Sequence, residues 1–279
     1  MRLSVAIVNW NTTNLLAACV RSILTFPPQG DCEIIVVDND SKDFDEQQFR
    51  AEFPTVKLIC NKDNDGYAKG NNQALEEAHG EYILLLNPDT EVTEGALDAL
   101  VEFMDRHPSA GAAGAKLMRP SGDVDHSVRS FPYPGPIAWE YIGLARLFPK
   151  SKVFGAYRAT WFGYDTEAQV DQPMGSALII RAKTLQQIGT LDESFPIFFN
   201  EVDWLYRAKQ AGWDTYFVPG AVVIHHGGSS TRQVRRREMV RESHKSLLRF
   251  YAKHFKGHIC PLSYYFTVAC INISMRLRG

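Results

Sequence analysis

The sequence lacks a strong net charge, a paired-cysteine motif and an internal repeat. Its 30 lysine and arginine residues are nearly balanced by 32 acidic residues, and the net charge of −2 predicts no nucleic-acid partner and no general attraction to a membrane. The 5 cysteines include no Cys-x-x-Cys pair, so we expect reduced, mostly structural thiols and a cytoplasmic location. The first residues lead directly into a predicted strand, which leaves no room for a signal peptide.

The sequence has instead a regular alternation of apolar runs and helical periodicity. Its 279 residues can hold one large α/β domain or two small ones. Strands are predicted at residues 3–8, 33–37, 56–60 and 82–86. Helices are predicted at residues 15–24, after Thr13 as a cap, and at residues 68–78, closed by Gly80, with a polar helix after the second strand. This order predicts an α/β fold with a mostly parallel central sheet flanked by helices.

Residues 119–171 interrupt this alternation. Their prolines and aromatic residues predict irregular, ordered loops rather than a linker. Trp139, Tyr141, Trp161 and Phe162 can line a carbohydrate cleft, because sugar rings stack on aromatic faces, or can serve core packing. Regularity returns with predicted strands at 177–180, 215–218 and 221–224 and predicted helices at 182–188 and 201–211.

The junction at residues 82–91 is the most informative part of the chain. Its five apolar residues, 82–86, can be buried only in a sheet that is covered on both faces. Polar residues beyond the carboxyl end of such a strand lie where open α/β sheets bind ligands. Pro88 restricts the turn, and a rigidly held carboxylate suits a divalent cation that bridges to phosphate. We interpret Asp89 as a metal ligand in a nucleotide-sugar site; the alternative is a turn with a helix cap.

Three predicted strands deliver polar residues to the same edge of the sheet. These residues are Asn9 and Asn11, Asp38, and then Asn87 and Asp89. A carboxylate at position 38 can accept the imide N–H of uracil or thymine. In the alternative interpretation, Asp38 and Ser41 simply cap the helix that follows.

A glycine-containing loop opens the predicted helix near residue 68. The segment includes Asn64, Gly66, Tyr67 and Asn72, and free N–H groups at the start of the helix can attract anionic or polar ligand groups. The spacing matches neither a Walker A motif nor the dinucleotide-binding Gly-x-Gly-x-x-Gly motif. The segment therefore does not specify a ligand by itself.

Two carboxylates follow the apolar pair at residues 198–199. On a helix, positions 201 and 203 are about 200° apart, so Glu201 and Asp203 cannot serve one site. Asp203 is expected to be structural, because it has a capping-box-like spacing from Asn200 and can form an ion pair with Arg207. Glu201 is then the carboxylate left for chemistry, and partial desolvation beside the apolar pair would raise its pKa toward that of a general base.

Two adjacent histidines, His225 and His226, precede a segment rich in glycine and serine at residues 227–231. Neighbouring residues on a strand point to opposite faces, so one histidine is expected to reach the site. The glycines permit the close approach of a phosphate. We favour His225 as a second metal ligand, and carboxylate with imidazole accepts Mn²⁺ as well as Mg²⁺. The alternative is a histidine that only satisfies the end of a strand.

Eight short motifs occur in a fixed order: Val8-Asn9-Trp10-Asn11, Val37-Asp38-Asn39, Asn64-x-Gly66-Tyr67, Asn87-Pro88-Asp89, Gly175-Ser176-Ala177, Leu191-Asp192-Glu193, Glu201-Val202-Asp203 and His225-His226-Gly227-Gly228-x-Ser230. Together they resemble the family 2 glycosyltransferases, and in particular the bacterial rhamnosyltransferase-like branch. The resemblance covers about residues 1–231. Each motif is unspecific alone, but their ordered combination is specific to the family.

The resemblance implies a GT-A fold, a dTDP- or UDP-sugar donor, a divalent metal (Mg²⁺ or Mn²⁺) and inversion at the anomeric carbon. It also implies a lipid-linked glycan precursor as the acceptor, rhamnose as one candidate sugar, and cell-surface polysaccharide synthesis at the inner face of a bacterial plasma membrane. Residues 1–115 would bind the nucleotide sugar, residues 116–231 would bind the acceptor and carry the catalytic base, and residues 232–279 would form a tail.

The resemblance also assigns roles by position. Asp38 would contact the base, Asn87 would lie near the ribose, Asp89 and His225 would bind the metal, and Glu201 would act as the base. The donor-binding set is completed by Asn9, Asn11, Asn64, Gly66, Tyr67, Asn72 and Gly175. Two positions depart from the family pattern, because Asn87 replaces the first Asp of the usual Asp-x-Asp and Glu201 replaces the usual catalytic Asp.

The tail is predicted to be helical, basic and apolar. A basic stripe recurs every four residues at Arg237, Arg241, Lys245 and Arg249. Residues 259–275 carry no charge, but as a helix they span only about 25 Å, short of the ~30 Å of a bilayer core. We expect an interfacial helix held by anionic lipid. A solvated basic face with a buried helix, or a homodimer contact, is the alternative.

Two other classes of protein share some of these features. A nucleotidyltransferase also uses an α/β sheet and metal-binding carboxylates, but it would usually have a loop rich in glycine and basic residues after the first strand. Residues 9–12 form no such loop. A non-catalytic binder of nucleotide sugars, such as an inactive partner subunit, is the third possibility.

Overall fold

The computed structural model of the protein describes residues 1–227 and 236–278. The chain divides into two compact units. Unit 1 comprises Met1–Ser127 and Tyr164–Ser230, and unit 2 comprises Val128–Gly163 and Thr231–Gly279. The predicted division into a donor half, an acceptor half and a tail stays a prediction.

The strands, in chain order, are β1 (Leu3–Asn9), β2 (Cys32–Asn39), β3 (Lys57–Asn61), β4 (Tyr82–Leu86), β5 (Thr90–Val92), β6 (Ala110–Met118), β7 (Val128–Arg129), β8 (Ala168–Gln169), β9 (Gln172–Pro173), β10 (Ala177–Arg181) and β11 (Asp214–His225). The helices are α1 (Thr13–Thr25), α2 (Glu46–Glu52), α3 (Tyr67–Glu76), α4 (Ala96–Arg106), α5 (Pro134–Ile142), α6 (Leu144–Leu147), α7 (Ala182–Ile188), α8 (Asn200–Gln210), α9 (Arg236–His254) and α10 (Pro261–Arg278).

Unit 1 is built on a mixed sheet with the strand order β3-β2-β1-β4-β10-β6-β11-β5, and β8 pairs with β11. The four strands from β3 to β4 are parallel, and so are β6 and β11. β10 lies antiparallel between β4 and β6, and β5 is antiparallel to the end of β11. The prediction of a mostly parallel central sheet is therefore confirmed, with β10 as an antiparallel strand in its middle.

The core of unit 1 follows from the apolar runs of the sequence. β1, β4 and β10 are buried at every position, which is possible only where both faces of the sheet are covered. α1 packs Leu16, Val20 and Ile23 into this core, and α4 packs Leu97 and Leu100. These residues recur at three- and four-residue spacing, so each helix presents one apolar stripe to the sheet.

Two predicted helix caps are wrong. α1 begins after Thr12 rather than Thr13, and the hydroxyl of Thr12 donates to a side chain at the end of β1 instead of capping the helix. Asn200 lies within α8, where its Oδ1 accepts from Glu201 N, while Asp203 N donates to a backbone carbonyl. The predicted capping box at this helix is therefore not formed.

Gly80 does not end α3, which stops at Glu76. A Cβ added at Gly80 would lie 2.4 Å from the carbonyl oxygen of Tyr82 and 2.6 Å from Ser4 N. The glycine is required because the backbone at this point lies directly against the start of β1. The prediction that it closes the helix is wrong.

Two other predicted segments differ in the structure. The predicted strands 215–218 and 221–224 are one strand, β11, with an irregularity in its pairing to β6 between Val218 and Val222. The predicted loops of residues 119–171 contain the helix α5, which begins at Pro134. Proline suits the first turn of a helix, where its missing N–H has no intrahelical partner.

Unit 2 contains the helices of the predicted tail. α9 carries the predicted basic stripe on its exposed surface, and α10 begins at Pro261 within the predicted uncharged segment. The two helices contact each other through His244 Nε2 and Ser274 Oγ, which are 3.1 Å apart. Among residues 1–227 and 236–278, we found no helix long and apolar enough to cross a bilayer.

Candidate active site

The carboxyl ends of β1, β2 and β4 meet at one edge of the sheet, as predicted. Asn9 at the end of β1 lies opposite Asp38 at the end of β2. Asn87 follows β4, and its N–H donates to the carbonyl of Ser176, which precedes β10. His225 ends β11 opposite Thr90 of β5. The topology therefore brings residues distant in the sequence to one polar edge.

Asn9 and Asp38 form a buried hydrogen-bonded pair. Asn9 is fully buried, and its Nδ2 donates to Asp38 Oδ1 at 2.7 Å and to Ser41 Oγ at 3.1 Å. Asp38 Oδ2 accepts from Ser41 N at 3.0 Å. α2 is capped by Asp45, so Asp38 orders the turn after β2 rather than capping the next helix. Asn11 joins this group through its backbone N–H, which donates to Ser41 Oγ at 2.7 Å, and its φ is positive at 54°.

Asp89 and His225 are buried side by side. Asp89 Oδ1 lies 3.7 Å from His225 Nε2, and both residues are less than a tenth exposed. His226 points elsewhere and pairs with Glu91 through Nε2 and Oε1, which are 2.7 Å apart. The alternation of side chains along β11 thus brings His225, the histidine favoured from the sequence, to Asp89.

Asp125 holds the other nitrogen of the His225 ring. Its Oδ2 lies 3.0 Å from His225 Nδ1, and this contact orients the ring so that Nε2 faces Asp89. Burial alone would raise the pKa of Asp125, but hydrogen bonds from His225 and Arg119 outweigh it and lower that pKa. Sequence analysis missed Asp125, because it lies in an irregular segment and 100 positions from its partner.

Asn87 and Ser176 complete this part of the site. Asn87 Nδ2 donates to Ser176 Oγ at 3.1 Å, and Ser176 Oγ lies 3.3 Å from His225 Nε2. Asn87 Oδ1 is buried and has no hydrogen-bond partner among the described residues. A buried amide oxygen of this kind needs a partner, so the site has a place for a polar or cationic ligand group.

Glu201 lies at the start of α8, beside Gly175. A Cβ added at Gly175 would lie 3.2 Å from Glu201 Cγ, so the glycine allows the helix to approach the sheet edge. Tyr67 OH lies 3.5 Å from the carbonyl oxygen of Gly175. Burial, followed by the charges of Glu201 and Asp89, raises the pKa of Tyr67, so its hydroxyl remains protonated. The predicted pKa of Glu201 stays a prediction.

Asp203 is structural, as predicted. It is fully buried, and Arg207 Nε donates to its Oδ2 at 2.8 Å. The same guanidinium donates to the carbonyls of Ile188 and Thr190, so the ion pair fastens α8 to the loop after α7.

Two of the N–H groups at the start of α3 are already engaged. The carbonyl of Pro196 accepts from Tyr67 N at 2.7 Å and from Ala68 N at 3.3 Å, so these two groups do not form the free anion-binding donors that were expected here. The predicted contact of Asn64, Gly66 and Tyr67 with the donor stays a prediction. Asn64 Oδ1 accepts from Gly66 N. Gly66 has a φ of +94°, and a Cβ there would lie 2.9 Å from the Pro196 oxygen.

The side-chain amide of Asn72 is also engaged by contacts within the protein. Its Nδ2 donates to the carbonyl of Leu191 and to Glu193 Oε1, both at 2.9 Å, and its Oδ1 accepts from Leu191 N. The residue therefore fastens α3 to the segment before α8. The predicted role of the 227–231 segment near a phosphate falls mostly outside the described residues.

The residues at the sheet edge fit a divalent cation only as a partial ligand set. Within the described chain, no three or more His, Cys, Asp or Glu side chains are grouped so that they could hold a metal ion. Asp89, His225 and the unpartnered Asn87 Oδ1 supply oxygen and nitrogen donors. Mg²⁺ and Mn²⁺ commonly take one or two protein ligands and complete their coordination with phosphate and water.

Comparison with known proteins identifies the family. The family model described as Glycosyl transferase family 2 matches residues 4–163, which is more than half of the chain. The chain belongs to glycosyl transferase family 2. This assignment confirms the resemblance found in the sequence and the prediction of a glycosyltransferase.

The chain is also similar to named glycosyltransferases of a bacterium and an archaeon. The N-acetylglucosaminyl-diphospho-decaprenol L-rhamnosyltransferase of Mycobacterium tuberculosis is 30% identical over 209 residues, which cover 71% of this chain and 67% of that protein. The low-salt glycan biosynthesis hexosyltransferase Agl10 of Haloferax volcanii is 27% identical over 212 residues, which cover 75% of this chain and 62% of that protein.

Solved structures confirm the GT-A fold. The mannosyltransferase PcManGT of Pyrobaculum calidifontis, in complex with GDP-Man and Mn²⁺, aligns with a TM-score of 0.61 at 15% identity over 99% of this chain and 70% of that chain. GalNAc-T7 with UDP, GalNAc and Mn²⁺ aligns with a TM-score of 0.60 at 16% identity over 81% of this chain and 44% of that chain.

Proposed function

We propose that the protein is a metal-dependent, inverting hexosyltransferase that moves a sugar from a nucleoside diphosphate to a hydroxyl of a glycan precursor. The observation that carries this proposal is the buried group of Asp89, His225 and Asn87 at the sheet edge. Glu201 lies beside Gly175, the residue immediately before Ser176, and is thus close to the same edge. In this proposal the donor site and the candidate base are adjacent.

The donor nucleotide would bind along the strand ends. β2 and β4 flank β1, so Asp38 and Asn87 are two strand spacings apart, about 10 Å. Asp38 would accept the imide N–H of uracil or thymine, and Asn87 would lie near the ribose. Asn9 is buried and its Nδ2 donates to Asp38, so it would act by positioning that carboxylate. A dTDP- or UDP-sugar is the donor that we favour.

Asp89 and His225 would hold Mg²⁺ or Mn²⁺, and Asp125 would orient the imidazole. When bound, the metal would stabilise the negative charge that develops on the diphosphate leaving group. Two structures with this fold carry Mn²⁺ in their complexes with nucleotide ligands, which supports a divalent metal here as well. Asp89 is buried, so solvent would screen its attraction for the ion less than it screens that of a surface carboxylate.

Glu201 would take the proton of the acceptor hydroxyl as that oxygen attacks the anomeric carbon from the face opposite the diphosphate. Attack from this opposite face inverts the configuration at the anomeric carbon. Glutamate is one methylene longer than the aspartate that the family usually has here. The close approach of α8 at Gly175 supports the assignment, because it leaves the longer side chain next to the donor edge.

The names of the relatives support a proposal for the acceptor and the cellular role. The mycobacterial relative is named for a diphospho-decaprenol substrate and for rhamnose, and another relative is the O-antigen biosynthesis protein RfbC of Myxococcus xanthus. We therefore propose a lipid-linked glycan acceptor, rhamnose as a candidate sugar, and cell-surface polysaccharide synthesis at the inner face of the plasma membrane. Peripheral membrane contact belongs to the same proposal.

The first test is a thermal-shift screen of UDP-, GDP- and dTDP-sugars with Mg²⁺ or Mn²⁺, followed by a transfer assay with the donor that stabilises most. We expect stabilisation that requires the metal, because a ligand that binds only the native state raises Tm. Metal-dependent binding without hydrolysis or transfer under any metal would instead identify a non-catalytic binder. Release of pyrophosphate from a nucleoside triphosphate would identify a nucleotidyltransferase.

A further inference from the structure

The last helix of unit 2 exposes an apolar face. The outer stripe of α10 consists of Leu262, Tyr265, Phe266, Ile273 and Leu277, which are between 52% and 80% exposed. Successive helix residues are about 100° apart, so these five side chains fall within an arc of about 120°. Exposed Ala269 lies in this arc between Phe266 and Ile273, and exposed Arg276 lies in it near the end of the helix. The outer stripe is therefore one apolar side of the helix with a basic residue at its end, rather than a scatter of single apolar residues.

The inner face of the same helix is more polar than the outer stripe. Its buried residues are Tyr264, Thr267, Ile271 and Ser274. Thr267 Oγ1 donates to the carbonyl of Ser263, and Ser274 Oγ contacts His244 Nε2. A surface helix of a soluble protein normally buries its apolar side. In α10 the inner side is mixed, with Ile271 beside the hydroxyl groups, while large apolar residues are exposed on the outer side. Within the described residues of unit 2, nothing covers that outer side, so an apolar environment would stabilise it.

Charge is also distributed unequally. Residues 128–163 and 236–278, the described part of unit 2, contain 14 lysine and arginine residues and 3 acidic residues. Residues 1–127 and 164–227, the described part of unit 1, contain 14 basic and 29 acidic residues. The near-neutral total therefore conceals a strongly basic unit 2. Such asymmetry is typical of chains with an anionic partner surface.

We propose that the outer stripe of α10 docks on the surface of a bilayer that contains anionic phospholipid. α10 contains no acidic residue, and Lys256 before it and Arg276 and Arg278 in its last turn are exposed. With 18 residues, α10 is about 27 Å long and does not span a bilayer. It lies instead in the interface, with Tyr265 at headgroup level and the aliphatic side chains in the acyl region.

A second copy of the chain is the other apolar surface to consider. Pairing through the outer stripe would bring together two units that each carry a large positive charge, and this repulsion opposes association. An anionic bilayer has the opposite charge, and each basic residue near it contributes favourably. The docking surface deepens the proposed function, because a lipid-linked acceptor lies in such a membrane, but the two proposals can fail independently.

The test is flotation of the full chain with vesicles of phosphatidylcholine, alone or mixed with phosphatidylglycerol, without donor or metal. We expect binding to the mixed vesicles that weakens at high salt. Replacing both Ile273→Asp and Leu277→Asp should lower the partition coefficient at least tenfold, since burial of one such side chain is worth about that factor. The matched control is Leu24→Asp, an exposed leucine of unit 1, which should bind like the parent.

A second variant keeps the test decisive if the aspartate pair lowers stability. Arg276→Gln with Arg278→Gln leaves the apolar stripe intact and should lower binding to mixed vesicles by about fivefold for each charge. Unchanged binding in both double variants overturns the proposal. It is also overturned if the parent chain ignores both vesicle types, or if it forms a dimer that Ile273→Asp and Leu277→Asp dissociate. Circular dichroism and the donor-induced shift in Tm serve as the folding controls.

Discussion

Unit 1 and the last helix of unit 2 place apolar side chains differently. In unit 1, the apolar strands β4 and β10 are buried at every position. In unit 2, which also has buried aromatic residues on α9, the helix α10 buries Thr267 and Ser274 together with Ile271, and it exposes leucine, isoleucine and phenylalanine on its other side. An apolar run in the sequence therefore does not by itself show that its residues are buried in the protein. On α10, the surface that would cover the apolar residues is the membrane proposed above.

The units also differ in how their polar groups are used. At the sheet edge of unit 1, the side chains of Asn87, Ser176, His225 and Asp125 form one continuous hydrogen-bonded group, and Asp89 lies against it. The basic residues of unit 2 are mostly exposed on α9 and α10. We therefore expect catalytic substitutions in unit 1 to leave vesicle binding unchanged, and the following predictions test that separation.

The largest effect is expected from Asp89→Ala. Removing the carboxylate of the proposed metal pair should lower metal-dependent transfer by about 1000-fold or more, because the charge on the leaving diphosphate loses its stabilisation. Transfer is measured with saturating Mn²⁺, and calorimetry reports donor affinity with and without the metal. The control is Asp165→Ala, which removes an aspartate that is 89% exposed. Unchanged metal-dependent donor affinity in Asp89→Ala contradicts the assignment.

Glu201→Gln should lower kcat by about 100-fold while donor binding is retained, because only proton transfer from the acceptor is lost. Glutamine keeps the shape of the side chain next to Gly175. Rates are measured across a pH series, in which the acid limb of the parent should disappear. Glu94→Gln, an exposed glutamate of unit 1, is the matched control. Near-normal transfer by Glu201→Gln means that another group is the base.

Asp125→Asn should weaken metal binding by about 10- to 100-fold, because the hydrogen bond that orients the imidazole of His225 loses its charge. Calorimetric titration of Mn²⁺ in the presence of a nucleoside diphosphate measures this directly. Asp123→Asn is the control, since this neighbouring aspartate is exposed and contacts Ser121 rather than the histidine. Equal Mn²⁺ affinity in both variants excludes Asp125 from a role in positioning His225.

The smallest effect is expected from Gly175→Ala. The new methyl group would lie 3.2 Å from Glu201 Cγ and displace that side chain by a few tenths of an ångström. We expect about a tenfold loss in kcat with little change in donor affinity, since small misplacements of catalytic groups reduce rates. Gly163→Ala is the control, because a Cβ there has no neighbour within 4 Å. A loss confined to donor affinity would place Gly175 in the nucleotide site alone.

Sequence analysis was most successful where a run of apolar residues is followed by a polar side chain. β4 has the predicted bounds, and the ends of β1 and β2 meet at the predicted edge. Strands buried on both faces leave a pattern that does not depend on distant parts of the chain. The alternation of side chains along β11 predicted that one of the two adjacent histidines would reach the site, and the structure brings His225 to Asp89 and His226 to Glu91. Local information did not decide between the two, and the preference for His225 also rested on the family resemblance.

The remaining features depend on long-range contacts that no local pattern contains. The carbonyl of Pro196 satisfies the start of α3, and Asp125 orients His225 from a segment that lacks regular structure. Periodicity also could not reveal which side of α10 faces inward. That side is fixed in part by the contact of Ser274 with His244 of α9, and the two residues are 30 positions apart in the sequence.

The irregular pairing of β11 with β6 separates the segment that carries His225 from the segment that packs in the core. Val218 lies opposite Ala115 and Val222 lies opposite Lys116, so residues 219–221 form an excess length on one strand only. The segment before this bulge keeps the alignment that the interior requires, and the segment after it aligns separately with Thr90 and its neighbours. A change in the length of the bulge would therefore alter neither of the two aligned segments of β11. We expect that insertions or deletions at residues 219–221 would leave His225 beside Asp89.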